Sequence, residues 1–127
     1  MKRVEKLFEI ESLLENLMKS HREGGLLRMK VLFFISLYEN LSVGMIIDKL
    51  GIKKTNFALM SASLEKEGCI KIKQSKMDKR CRVIELTEKG REELDNYIKD
   101  VEKVLGPTAP EVDYAADVLC KFLNKII

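Results

Sequence analysis

Gly51 and Gly68 constrain this chain more than any other pair of residues, because each closes a run of apolar residues at helical spacing and the two runs almost touch. Ser42 is a candidate N-cap, Val43, Ile46, Ile47 and Leu50 follow on one helical face, and Gly51 sits where a helix-ending residue of positive φ belongs. After Ile52, the run Lys53 to Glu67 sets Phe57, Met60, Ser61 and Leu64 on one face, and Gly68 closes it. The second helix therefore starts three or four residues after the first ends. Two helices joined so closely, with their apolar faces turned inward, form a helix-turn-helix whose second helix would enter the major groove.

The next stretch changes period. Ile70 and Ile72 point one way and Lys71 and Lys73 the other, and Ile84 and Leu86 repeat the alternation after a break from Ser75 to Arg80. Pairing Ile70 with Leu86 and Ile72 with Ile84 puts all the apolar residues on one side and sets Lys71 across from Glu85 as a cross-strand pair. The hairpin then carries Lys76, Asp78, Lys79, Arg80 and Arg82 at or beside its tip, a cationic loop suited to a phosphate backbone or a minor groove. A helix-turn-helix followed by such a wing predicts a mainly α fold with a small β-hairpin, the winged helix-turn-helix.

Asp78-Lys79-Arg80, followed by Val83 to Gly90 with Leu86-Thr87-Glu88-Lys89-Gly90 at its end, resembles the Asp-x-Arg wing and Leu-Thr-x-x-Gly helix start of the multiple-antibiotic-resistance regulator (MarR) family. Leu64 to Ile70 is similar to that family's exit from the recognition helix into the first wing strand. The resemblance implies a single domain over residues 1–127, with a winged helix-turn-helix lobe at 26–90 and N- and C-terminal dimerisation helices at 1–25 and 91–127. It implies that Asp78 shapes the wing loop and that Arg80 is presented to DNA. It also implies a homodimer on double-stranded DNA, more often a repressor, with a small-molecule effector pocket between the dimerisation helices and the lobe; Tyr38, Met18 and Met45 are the candidate pocket residues.

One departure from the family pattern bears on specificity. The exposed face of the second helix has Ala58, Leu59, Ala62 and Ser63, and no Arg stands between Lys53 and Glu67. Base reading would fall to Lys53, Lys54, Thr55 and Asn56, with Ala58 or Leu59 touching thymine methyls. The same absence motivates an alternative, a winged-helix module that binds another protein through Ala58, Leu59 and Ala62 as an anti-regulator.

The charge distribution favours nucleic acid over that alternative. The net charge is only +3, yet residues 53–82 hold nine Lys or Arg against three acids, a net of +6 that leaves −3 for the rest. A basic stripe confined to the expected reader and wing is the footprint of a module that neutralises phosphates.

The flanks read as helices. Val4, Leu7, Phe8, Leu14, Leu17 and Met18 form a stripe on a first helix from Lys2 to Arg22, and Leu26 to Glu39 follows, apolar all round and so expected at the scaffold's centre. Thr87 is a candidate N-cap for a helix to Leu105, stopped by Gly106-Pro107. Thr108 to Glu111 has the pattern of a capping box, and Val112, Ala115, Ala116, Leu119, Phe122, Leu123 and Ile126 would line one face of a last helix that needs a cover.

Other chemistries find little to stand on. His21, the single histidine, is expected to cap or decorate a helix end, and the three cysteines make neither a disulfide framework nor a metal site. Cys69 and Cys81 would lie at opposite ends of the wing; Cys81, between Arg80 and Arg82, is expected as a small residue in the hairpin, with a thiol sensor as the lesser alternative for want of a resolving partner, and Cys120 is expected in the core. Glu92 and Glu93 are adjacent, so on a helix they diverge and read as surface charge. No cofactor and no enzyme activity is expected. A start without an apolar leader, and no apolar run near the roughly 20 residues a membrane span needs, point to a cytoplasmic protein.

Overall fold

The computed structural model describes residues 2–127, ordered as α1 (Lys2–Leu17), α2 (Gly25–Leu37), β1 (Leu41–Ser42), α3 (Val43–Leu50), α4 (Lys54–Lys66), β2 (Ile70–Gln74), β3 (Arg82–Leu86), α5 (Glu88–Leu105), a single 3-10 turn (Gly106–Thr108) and α6 (Ala109–Ile126). The strands form one antiparallel sheet in the order β1-β3-β2. This is a winged helix, mainly α with a small sheet.

Local chemistry accounts for the central boundaries. Ser42 Oγ accepts the Met45 N–H at 3.1 Å, and Gly51 ends α3 at φ 63° with its N–H on the Ile47 carbonyl at 3.0 Å. At the end of α4, Gly68 takes φ 78° and two reversed bonds form, Cys69 N–H to Leu64 O at 2.9 Å and Gly68 N–H to Glu65 O at 3.0 Å. That is a Schellman ending, which a left-handed glycine allows without steric cost. Thr87 Oγ1 accepts the Gly90 N–H at 3.1 Å and starts α5.

The core gathers around α2. Met29, Val31, Leu32 and Ile35 are buried against Leu41, Ile46, Phe57, Leu64, Ile70, Ile84 and Leu94, contributed by β1, α3, α4, β2, β3 and α5. Burying each such side chain contributes about 1.5–3 kcal/mol, so it is this packing, more than helix propensity, that holds α3 and α4 at their angle.

Several expectations need correction. α1 stops at Leu17 rather than Arg22, because Ser20 Oγ accepts the Arg22 N–H and Gly24 and Gly25 both adopt positive φ, turning the chain into α2. His21 therefore lies exposed in a connection, not at a helix end. α2 ends at Leu37, since Asn40 takes φ 54° and Leu41 leaves as β1 to pair with Ile84. Phe33 and Leu37 are exposed, so α2 is not buried on every side. The wing register is the expected one, with Ile70 opposite Leu86, Lys71 opposite Glu85 and Ile72 opposite Ile84. Glu85 also takes a diagonal ion pair from Lys73 Nζ at 3.1 Å, within the reach of long side chains on one sheet face.

The capping box at Thr108 does not form. Thr108 Oγ1 donates to the Leu105 carbonyl at 2.7 Å, and its backbone, at φ −99° and ψ 2°, is not the extended one of an N-cap, so its oxygen makes no cap to the first turn of α6. On α6, Val112, Leu119 and Leu123 are half-buried, whereas Tyr114, Val118, Phe122 and Ile126 make a second, outward ladder at four-residue spacing. Cys120 is exposed, not core, and the cysteines Cys69, Cys81 and Cys120 are all free thiols. Among the described residues, none in α1 or α6 is buried.

Candidate nucleic-acid interface

The turn from α3 to α4 decides which residues can be read from outside. Phe57, Ser61 and Leu64 anchor α4 to the core, so the opposite face, with Lys53, Lys54, Thr55, Asn56, Ala58, Leu59, Ala62 and Ser63, is exposed. Leu59 is 75% exposed, an apolar side chain standing free on a helix whose inner face is fully occupied. Lys53 stands at the N-cap with extended backbone and no side-chain cap, so the first N–H groups of α4 have no side-chain acceptor.

The wing loop is built on two acceptors. Ser75 Oγ accepts the N–H groups of Met77 at 3.2 Å and Asp78 at 3.3 Å. Asp78 Oδ1 accepts the Arg80 N–H at 3.0 Å and Arg80 Nε at 3.2 Å, and Oδ2 accepts Nη2 at 3.3 Å. Gln74 Nε2 closes the base on the Lys79 carbonyl at 2.5 Å. The hydrogen bonds from Arg80 hold the Asp78 carboxyl below its ordinary pKa. Asp78 thus shapes the loop and holds Arg80, its side chain 90% exposed, through Nε and Nη2. Lys76, Lys79 and Arg82 are exposed on the same loop and strand start. Met77, which the sequence reading passed over, is 98% exposed at the tip among these cations.

The far end of α4 is fixed differently. Arg28 of α2 is 2% exposed, and its guanidinium donates Nε to Glu93 Oε2 at 2.7 Å, Nη2 to Glu93 Oε1 at 2.9 Å and Nη1 to Glu67 Oε2 at 2.5 Å. Arg22 donates to the same Glu93. Glu93 is therefore no surface charge: burial pushes its carboxyl up, and the bonds from Arg28 and Arg22 outweigh burial and leave it below the ordinary range. The bonds to Glu93 raise Arg28 further above its ordinary pKa, against the opposing effect of burial. The thiol of Cys69, fully buried beside them, is pushed up by burial and by the Glu93 charge. Neither Arg28 nor Glu93 was singled out as a pair from sequence; the one available signal was an Arg inside a mostly apolar helix, a residue seldom buried unless paired.

An open cleft of about 820 Å³ lies between the α1–α2 connection and α5, lined in part by Lys19, His21, Arg22, Glu93, Tyr97 and Val101. Tyr97 donates to the Met18 carbonyl at 2.5 Å across it. Tyr38, Met18 and Met45 do not line this cleft; Tyr38 instead lies under the ammonium of Lys49, 4.6 Å from the ring centroid.

Residues 27–105 match the family model described as a winged helix DNA-binding domain. No curated protein sequence matches the chain. Among solved structures, a MarR/EmrR family transcriptional regulator from Acinetobacter sp. ADP1 is 27% identical, with a TM-score of 0.72 over 98% of this chain and 96% of its own. Apo MarR from E. coli is 19% identical, with a TM-score of 0.73 over 93% of this chain and 94% of its own. The transcriptional repressor CouR, bound to a 23-mer DNA duplex, is 25% identical, with a TM-score of 0.60 over 77% of this chain and 70% of its own. No helix among the described residues is long and apolar enough to cross a membrane.

Proposed function

The chain belongs to the winged helix DNA-binding domain family and has the fold of the MarR-like transcription regulators, which are not enzymes, and on that premise we propose that it is a homodimeric repressor of a pseudo-palindromic operator. The observation that carries this reading is the coincidence of an exposed α4 face and a cationic, internally braced wing on one lobe. Lys53, Lys54, Thr55 and Asn56, with Ala58 and Leu59, would meet base edges in the major groove. Lys76, Lys79, Arg80 and Arg82, held in shape by Asp78, would meet phosphates or the adjacent minor groove.

The dimer is supported by what the single chain leaves uncovered. Val4, Leu7, Phe8, Leu13 and Leu14 of α1 and Tyr114, Val118, Phe122 and Ile126 of α6 are exposed apolar residues in two rows, a surface of the kind that marks an association face. A second copy joined there would set two readers on successive major grooves about 34 Å apart. The open cleft beside α5 offers a small effector a place from which to change that spacing and release DNA.

Fluorescence-polarisation titration against DNA from the protein's own promoter and against a scrambled duplex, at two salt concentrations, tests the reading. Tighter promoter binding that survives added salt supports base reading. Equal binding that is lost in parallel with salt leaves only phosphate contacts. Leu59, exposed with Ala58 and Ala62 on an α4 without arginine, would then favour the second reading, a protein-binding module.

A further inference from the structure

A helix that reads bases has to be held at both ends, and the C-terminal end of α4 is held by a buried cation. Glu67 is the C-cap of α4, Glu93 lies in the second turn of α5, and Arg28 stands between them with hydrogen bonds to both. Three shorter ties join the same two places. Lys89 Nζ donates to the Glu67 carbonyl at 2.7 Å, Thr87 Oγ1 to the Gly68 carbonyl at 2.5 Å, and the Thr87 N–H to the Cys69 carbonyl at 3.0 Å. Gly90 seats α5 against that same carbonyl, so closely that a Cβ would stand 2.1 Å from the oxygen. The junction leaves no slack through which α5 could turn without moving the exit of α4.

Stability alone does not account for a buried Arg at this place. Well-packed apolar residues of similar volume commonly stabilise as much as a buried ion pair or more. What a planar guanidinium adds is direction, since its donors have to meet two carboxylates in one plane at fixed distances.

We infer that Arg28 is a positioning residue for DNA reading, one that locks the exit of α4 to α5 through Glu67 and Glu93 so that α5 sets the angle at which α4 meets the groove. The inference rests on the DNA-regulator reading given above. Arg22 extends the lock to the open cleft, because it holds the same Glu93 from the cleft side. A displacement of α5 or of Glu93 is thereby felt at the end of the reader.

Glu67→Gln tests it in the full chain. The Glu67 side chain is 41% exposed and Arg28 keeps Glu93, so the variant is expected to fold with a melting temperature close to that of the parent. Two readouts follow: affinity for the promoter and for a scrambled duplex at two salt concentrations, and hydrogen exchange of the amides of residues 67–69. Promoter affinity is expected to fall about tenfold, the size of one lost base contact, with scrambled-duplex affinity and salt slope unchanged. Exchange of those three amides is expected to quicken while the α2 amides stay protected. Unchanged promoter affinity with unchanged exchange overturns the inference, as does a fall on both duplexes that tracks a lower melting temperature. If the parent itself does not distinguish the two duplexes, the functional reading fails, and exchange decides the lock: faster exchange at 67–69 alone supports it and unchanged exchange removes it.

Discussion

Arg28 grips Glu93 with two parallel hydrogen bonds, Nε to Oε2 at 2.7 Å and Nη2 to Oε1 at 2.9 Å, between residues 65 apart in sequence. The pair joins the central helix to the helix that leaves the wing, and both side chains are nearly closed to solvent. A charge in that position is tolerable only while its partner is present.

Arg28→Met is therefore expected to destabilise the chain by about 3–5 kcal/mol, because Glu93 is left buried with only Arg22 to answer it. Adding Glu93→Leu should recover most of the loss, since apolar residues can replace a buried pair at little cost. Urea denaturation of the two single variants and the double variant measures this; a double variant no better than Arg28→Met would refute the pairing argument.

Acid should act through the same carboxylate. Glu93 titrates below its unfolded value, so the stability it contributes is complete above the ordinary Glu pKa of about 4.3 and is lost as pH falls through its lower, folded value. The charged groups facing it are Arg22 and Arg28, with the Cys69 thiol beside them. Thermal melts between about pH 7 and about pH 3 should show a steeper loss of stability on the acid side for the parent than for Glu93→Gln. Parallel curves would exclude Glu93 as a source.

Gly90→Ala inverts the usual helix rule. In an exposed helix interior the change would stabilise by about 0.8–1 kcal/mol. Here the new methyl would meet the Cys69 carbonyl oxygen at 2.1 Å and its carbon at 3.0 Å, so α5 has to shift from the wing, at an expected cost of about 1–3 kcal/mol. A chemical melt of the variant gives the sign directly.

Arg80→Ala should weaken binding to promoter and scrambled duplexes alike and lower the salt slope by about 0.9, the value for one lost phosphate contact on duplex DNA. Leu59→Ser should behave in the opposite way, narrowing the gap between the two duplexes while leaving the salt slope as it was. If Arg80→Ala changes neither affinity nor slope, the wing does not touch DNA and the protein-binding reading takes precedence.

Phe122→Glu places a charge in the outward ladder of α6, where Phe122 is 57% exposed in the single chain. Light scattering after size exclusion should find a dimer for the parent and a monomer for the variant, with the lobe still folded by circular dichroism. A dimer that survives the change would move the association face elsewhere.

How much of this was legible beforehand differs from one element to the next. The two short helices, the wing and its register, and the capping roles of Ser42 and Thr87 followed from residues close in sequence, and the structure agrees with them. Each is governed by local physics: a hydroxyl bonded within one turn, a glycine able to take positive φ, an alternation of period two. Those same rules misjudged Thr108, whose backbone ends a 3-10 turn instead of taking the extended form an N-cap needs.

Tertiary structure alone decided the rest. It brought Arg28, Glu67 and Glu93 together, made Leu41 and Ser42 a third strand and split α6 into an inner row and an outer ladder. Ion pairs between distant residues have no periodicity to betray them, and apolar periodicity tells which residues seek cover but not which neighbour supplies it. Amino-acid order determined the parts of this winged helix and the cationic residues on its exposed face and wing; packing decided how those parts are locked to one another.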